Sequence, residues 1–383
     1  MKKIKLLFIG SFLANSFVDK KKPNKELTIS GTVISLKNTY EKITEISKKY
    51  NLEIIKFDSD KFRYNKKNKS IRNLFIYLIS SIVRYIKLIY LTTISDKTLI
   101  NSSPHGIAYL TPVTITNFIL RKSSVIRVFG GREPLDVNLL LRPLVFLSLN
   151  LSSSVGIQAK SITKKYNSLL STNKFFWLPT SRPRPDQIFI NERKSLINKS
   201  KKELLYLGHI RKDKGIDFLI EAFNEEKLQN YNLHLYGPLW GQLGEKESYS
   251  LKKIRNSKNI TYKGTIESKD AYKLISKYDA LIFPTISPAE GYPGVIIEAL
   301  LVGTPVIASK WLHLKEILNK NNSILFKPFS HKAIVNAVLS YYENSETQVS
   351  LNIGALKSSK DIFCLDRQTY DLLNYLGLED LTL

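Results

Sequence analysis

"AEGYPGVIIEALLVGTPVIAS", residues 289–309, sets Glu290 and Glu298 on either side of a Gly-Tyr-Pro-Gly turn and an apolar run. Pro293 suits a helix start, and Gly303 with Pro305 just beyond suits its stop. The spacing predicts a helix from about Gly294 to Val302. Before it, Ala280–Phe283 is too apolar for an edge strand, and open parallel sheets bind ligands beyond the carboxyl ends of their strands. Pro284–Ala289 and Glu290 therefore lie on the binding side. Gly291 and Gly294 carry no side chain to block the approach of backbone to a ligand. The helix start offers unpaired N–H groups and the positive end of a dipole, which together favour a phosphate. Glu298 falls roughly 6 Å along the axis from Gly294. It stands among Ile296, Ile297, Ala299 and Leu300, where an unpaired charge is costly. Carboxylates accept hydroxyl pairs well. A ligand with sugar hydroxyls, a diphosphate and ribose hydroxyls in that order meets all three features, each glutamate facing hydroxyls.

Outward from this stretch, short apolar runs alternate with helical segments, the pattern of parallel sheets covered by helices. In the second half, strands are expected at Leu204–Leu207, Asn232–Tyr236, Ile260–Lys263, Ala280–Phe283, Val306–Ala308 and Ser323–Phe326. Helices are expected at Ile216–Phe223, Ser268–Lys277 and Ala333–Tyr342, with Gln368–Leu376 last. In the first half, strands are expected at Ile4–Ile9, Leu52–Phe57, Thr98–Asn101, Val125–Val128, Ser153–Gln158 and Phe175–Leu178. Gly31–Lys49 and Ile71–Leu91 read as helices, another runs to about Ser171, and Asp60–Ser70 reads as a basic loop. The proline-rich Pro179–Pro185 and the polar run Asn191–Lys202 read as a linker. The domains expected are 1–182, a linker 183–202, a nucleotide-type domain 203–365, and a closing helix within 366–383 able to pack back on the first domain.

The bulk numbers agree with two soluble domains: 383 residues, 43% hydrophobic and 24% charged. The one cysteine, Cys364, excludes an internal disulfide framework and fits a reducing compartment. No Cys/His cluster has metal-ligand spacing. The net charge is +25 and lopsided: residues 1–190 carry 32 Lys and Arg against 11 Asp and Glu, residues 191–383 carry 26 against 22. Such asymmetry points the first half at an anionic partner. MKKIKLLFIGSFLANSF begins like a signal peptide, but its apolar core Leu6–Ile9 is short and reads as a buried strand. Ile71–Leu91 has the length of a membrane span, yet Arg72, Arg84 and Lys87 interrupt it, so it reads as a buried or interfacial helix.

The segment "FPT-x5-EGYPGVIIEALLVGTPVIAS" resembles the glutamate-seven-residues-glutamate motif of the retaining "group 1" glycosyltransferases (family 4), and the likeness covers most of residues 95–330. That resemblance implies an α/β chain of the GT-B fold, two Rossmann-like β/α/β domains facing each other across a cleft. It implies that Glu290 contacts donor-sugar hydroxyls, that the backbone of Gly291, Tyr292, Pro293, Gly294 and Val295 holds sugar and phosphate, and that Glu298 holds the ribose. "LLYLGHIRKDKGIDFLIEAF", residues 204–223, resembles the same family's first strand and phosphate loop. Lys214-Gly215 matches and Gly208 aligns, but His209 stands in the usual arginine slot, so His209 or Arg211 supplies the second basic contact. Arg and Lys preorganised there would stabilise the charge growing on a leaving diphosphate without a metal. In the first half the resemblance implies a donor-side Gly10, a histidine near the reacting centre at His105, and an acceptor pocket at Gly130, Gly131, Arg132 and Glu133 in "VIRVFGGREP". Asp58-Ser59-Asp60 imitates the metal motif of another glycosyltransferase fold and is assigned no metal.

The expectation is then a retaining glycosyltransferase with a nucleoside-diphosphate sugar as co-substrate, no cofactor and no metal. Its acceptor would be a glycan, lipid-linked, in cell-surface polysaccharide synthesis. The basic first domain, with Lys20–Lys22, Lys66–Lys69 and the Ile71–Leu91 helix, would rest on an anionic membrane at the cytoplasmic face. A sugar-nucleotide epimerase or a glycogen-type polymerising enzyme keeps the fold and changes the reaction. A nucleic-acid-binding protein would use the positive field instead, but no nucleic-acid motif appears and none is expected as partner.

Overall fold

The computed structural model describes residues 3–11, 31–59, 71–196, 201–239, 249–359 and 362–379. The chain divides into two compact units, Met1–Pro179 with Leu365–Leu383, and Thr180–Cys364. Each is built on a parallel six-stranded sheet.

In the first unit the apolar runs become β1 (Ile4–Gly10), β2 (Leu52–Asp58), β3 (Lys97–Ser102), β4 (Ser123–Val128), β5 (Ser154–Ile157) and β6 (Phe175–Trp177). Their spatial order is β2-β1-β3-β4-β5-β6, with Leu6 of β1 opposite Ile54 of β2 and Lys97 of β3. Successive residues of a strand face opposite sides, and β1 is buried on both, as its unbroken Leu-Leu-Phe-Ile run requires. Leu7 and Ile9 pack with Leu88 of α2 (Ile71–Ile94), Val113 of α4 (Thr111–Ile119), Val145 of α5 (Arg142–Leu151) and Tyr166 of α6 (Lys160–Leu169). Leu6 and Phe8 pack the other way, with Leu36 and Ile43 of α1 (Gly31–Lys49) and Leu372 and Leu373 of α14 (Leu365–Tyr375). The last helix thus belongs to the first unit, held also by an ion pair from Lys42 to Asp366 at 2.8 Å. A short α3 (Pro104–Tyr109) completes the unit. The periodicity reading passed over α3, α4 and α5. Their apolar residues are spread around the helix, so no single stripe announces them.

In the second unit the strands are β7 (Glu203–Leu207), β8 (Asn232–Tyr236), β9 (Ile260–Tyr262), β10 (Ala280–Phe283), β11 (Val306–Ser309) and β12 (Ser323–Phe326). They lie in the order β12-β11-β10-β7-β8-β9. Around them run α7 (Gln187–Leu196), α8 (Ile216–Phe223), α9 (Tyr249–Arg255), α10 (Ala271–Ile275), α11 (Gly294–Val302), α12 (His331–Glu343) and α13 (Ser345–Ser359). The chain leaves β7 toward β8 and β9, then returns to β7's other side with β10. The topological switch point, where open α/β sheets form their crevice, therefore lies between the carboxyl ends of β7 and β10.

One expectation fails here. The linker read at 183–202 holds α7, and its Arg193, 2% exposed, donates to Tyr278 O at 2.5 Å, Asp279 O at 2.8 Å and Asn352 Oδ1 at 2.6 Å. Those bonds from one buried arginine pin the helix to the second unit, a tertiary cause that composition cannot display. The chain also passes into the second unit at Thr180 rather than after 182. Lys20–Lys22, Lys66–Lys69 and Asp60 lie outside the described residues.

Candidate active site

The turn after β10 and the loop after β7 meet at the switch point of the second sheet. Gly215 makes the meeting possible: its φ is +72°, and a Cβ there would stand 2.0 Å from the carbonyl oxygen of Pro284. Only glycine accepts both conditions without strain. With the loop seated, Ile286 N–H donates to Asp213 O at 3.0 Å, and Lys214 Nζ reaches Glu290 Oε2 at 2.5 Å.

Glu290 is held from three directions. Thr285 Oγ1 donates to the same Oε2 at 2.8 Å, and Glu290 N–H donates to Ser287 O at 3.2 Å. That carbonyl also takes Trp311 Nε1–H at 2.8 Å, which ties the turn to the end of β11. The Lys214–Glu290 side chains are only 16% and 11% exposed, so the pair is fixed rather than a loose surface contact.

The neighbouring loop settles how the histidine and arginine are disposed. Arg211 is committed to Asp213, with Nη2 to Oδ2 at 2.7 Å and Nε to Oδ1 at 2.5 Å. Burial, then the charges of Arg211 and Lys214, lower the His209 pKa, so its imidazole is neutral at pH 7. Tyr206 lies beneath the loop and donates to His209 O at 2.7 Å. Burial, with Glu290 and Asp213 beside it, pushes that phenol well above its ordinary range. Gly208 ends β7 at the same edge.

Helix α11 begins at Gly294 after Pro293. Ile296 and Ile297 N–H return to Pro293 O at 3.1 and 3.3 Å. The N–H groups of Gly294 and Val295 have no acceptor among the described residues, which leaves two orphan donors at the positive end of the helix. Gly291 and Tyr292 are buried in the turn. Tyr292 faces inward, its hydroxyl on Glu316 Oε2 at 2.7 Å and its carbonyl accepting from Thr180 Oγ1 at 2.8 Å.

Glu298 is paired, and with a residue that the sequence reading gave to the linker. Arg182 Nε donates to Glu298 Oε1 at 2.6 Å, with the two side chains 4% and 12% exposed. The guanidinium lies over Gly294, where a Cβ would stand 1.5 Å from Arg182 Nη2. Position 294 is therefore glycine first for the arginine. Burial raises the Glu298 pKa and Arg182 opposes it. A buried glutamate on an apolar helix signals in sequence that some cation must meet it. It does not say that the cation comes from 116 positions upstream.

In the first unit, Gly10 ends β1 and His105 follows β3, so both stand at the switch point of that sheet, between the neighbours β1 and β3. Gly10 also has a packing reason: a Cβ there would meet Leu36 of α1 at 2.9 Å. His105 is exposed on α3. Gly130 follows β4 with φ +97°, Gly131 is buried and Arg132 is exposed. Glu133 is engaged by Lys165 at 2.7 and 2.8 Å.

Comparison with known proteins adds the following. The sequence model of "Glycosyl transferases group 1" matches residues 187–358. An uncharacterized 41.2 kDa protein in the cps region of Klebsiella pneumoniae is 28% identical over 123 residues, 32% of each chain. Lipopolysaccharide 1,2-N-acetylglucosaminetransferase of Salmonella typhimurium is 28% identical over 144 residues, 35% of this chain and 38% of that one. The match thus spans about a third of the length of both relatives. Among solved structures, Anabaena Alr3699/HepE in complex with UDP and glucose is similar, with a TM-score of 0.67, 15% identity and coverage of 98% of this chain and 99% of that one. The two parallel six-stranded units are those of the GT-B fold.

Proposed function

We propose, from the match of residues 187–358 to the sequence model of glycosyl transferases group 1, that the chain moves a sugar from a nucleoside-diphosphate sugar to a glycan acceptor, with retention at the anomeric carbon. The observation that carries this reading is the Lys214–Glu290 pair at the switch point, beside the two orphan N–H donors of α11. In this reading Glu290 binds donor-sugar hydroxyls and Glu298 the ribose. The diphosphate rests on the start of α11. As the bond to the sugar breaks, negative charge grows on the diphosphate, and Lys214 and the helix N-terminus, already oriented, stabilise it. Charge neutralisation is assigned to these groups and not to a metal ion, so turnover should survive a chelator. The acceptor is assigned to the first unit, with His105 and Gly130–Glu133.

A role in cell-surface polysaccharide synthesis, on a lipid-linked acceptor, is part of the same proposal. Similarity to a lipopolysaccharide transferase and to a cps-region protein supports it. Between Asp60 and Asp186 the chain has 20 Lys and Arg and only 3 Asp and Glu. On α2, Leu78, Ile79, Ile82, Val83, Ile86 and Tyr90 form an outward stripe, each 48–64% exposed. Phe118 and Ile119 of α4 lie in the same helix layer, 59% and 71% exposed. Among the described residues no helix is long and apolar enough to cross a membrane. An apolar stripe on a basic background instead suits a helix lying in the interface of an anionic bilayer, here at its cytoplasmic face.

The test is a panel of labelled nucleotide sugars offered with and without lipid-linked glycan acceptors, with the product's anomeric configuration read by NMR. Acceptor-dependent transfer with retention is expected. Epimerisation of the donor without an acceptor, or salt-sensitive DNA binding with no transfer, would overturn the reading.

A further inference from the structure

Arg182 is a buried cation at Glu298 that neither the motif nor the phosphate loop foresees. It is 3% exposed, and its backbone N–H is anchored on Phe363 O at 3.0 Å. Its Nη1 donates to Ser181 O at 3.1 Å and its Nε to Glu298 Oε1 at 2.6 Å. Glu298 Oε2 takes no hydrogen bond from any described residue. One oxygen of this carboxylate is therefore clamped and the other is held open. The clamp is built at a cost in sequence freedom, since Gly294 must lack a Cβ to admit the guanidinium.

We propose that Arg182 is a positioning residue for nucleotide binding: by fixing Glu298 Oε1 it aims Oε2 at the hydroxyls of a ribose. The inference rests on the reading above that Glu298 holds the ribose. It assigns to Arg182 no contact with the reacting atoms. Its second effect is on charge. Among the described residues, apart from Arg182, the titratable group facing Glu298 is Tyr272, whose own pKa burial and Glu298 raise far above neutral, so it stays uncharged. With burial raising the Glu298 pKa and Arg182 opposing it, removing the arginine raises it further. The ionised carboxylate is then lost as pH falls through the raised pKa, by roughly tenfold per unit once below it.

The experiment measures binding of UDP, GDP and ADP, and of their 2′,3′-dideoxy counterparts, by calorimetry between pH 5.5 and 8.5. Wild type should favour the ribose form by roughly tenfold or more, since a site built for hydroxyls rejects an analogue lacking them. Arg182→Met should lose that preference, bind the dideoxy form as wild type does, and weaken further toward acid. In a Glu298→Gln background it should change nothing more. Arg182→Lys should keep the wild-type pH profile with weaker ribose preference. Gly294→Ala, which displaces the guanidinium, should reproduce the loss even where Arg182→Met fails to fold. If Arg182→Met weakens ribose and dideoxy forms equally, or adds its loss to that of Glu298→Gln, the positioning role is wrong. If wild type and Glu298→Gln show the same hydroxyl preference, the assignment of Glu298 to the ribose falls, and this inference with it.

Discussion

The two units share one plan and use charge in opposite ways. Each is a parallel six-stranded sheet, with its switch point flanking the first strand of the unit. In the second, the switch point gathers three cations and three anions that neutralise one another: Lys214 with Glu290, Arg182 with Glu298, Arg211 with Asp213. In the first, positive charge is spread over the unit, and large apolar side chains of α2 and α4 stand in solvent. The difference teaches that a common sheet fixes where a crevice can form, while the side chains at each edge decide what it can hold. Two of those pairs, Lys214–Glu290 and Arg182–Glu298, are nearly buried. The first unit's surface is instead basic and, on α2 and α4, apolar.

The sharpest way to break this contrast is at the paired site. Lys214→Ala should lower kcat by roughly 10² to 10³, the cost of removing one preorganised donor to developing charge, with the far-ultraviolet dichroism unchanged. A drop under tenfold would mean that the pair is structural.

Next comes α7, which separates a linker from a packed element. Arg193→Met strands three acceptors around a buried cavity and should destabilise the second unit by roughly 3 kcal/mol, read as a lower urea midpoint. A true linker would show no change. Gly215→Ala follows. The φ of +72° and the 2.0 Å approach to Pro284 predict a loss of about 1–3 kcal/mol and a drop in activity, as Lys214 shifts away from Glu290.

The smallest effects should fall on the first unit's surface. Ile82→Asn with Ile86→Asn, at positions 59% and 64% exposed, should leave the melting temperature within about one degree, surface changes being within roughly 0.5 kcal/mol. The same pair should weaken co-sedimentation with anionic vesicles several-fold, and salt should release the wild type. Equal sedimentation of wild type and variant would remove the apolar stripe from any membrane role.

Legibility followed the range of the forces. The strand at Ala280–Phe283 and the helix Gly294–Val302 were read to the residue, and Ile216–Phe223 likewise. Each is bounded by local signals, a run of buried apolar residues on one side and a proline or glycine on the other. Asn191–Leu196, read as linker, belong to α7, whose Arg193 is bonded to Tyr278, Asp279 and Asn352, contacts that leave no periodic trace. The choice left open between His209 and Arg211 also depended on neighbours. Asp213 occupies the arginine, and burial keeps the histidine neutral.

By itself the sequence determined the strands of the two sheets, the helix start at Gly294 and the two carboxylates on either side of it. Those outcomes rest on hydrophobic periodicity and on backbone rules for proline and glycine, which act within a few residues. Only the tertiary structure decided that each carboxylate has its own cation, that the Arg182 guanidinium lies over Gly294, and that the last helix returns to the first unit. Such pairings join residues distant in the chain, and their energy exists only once folding has removed water from between them.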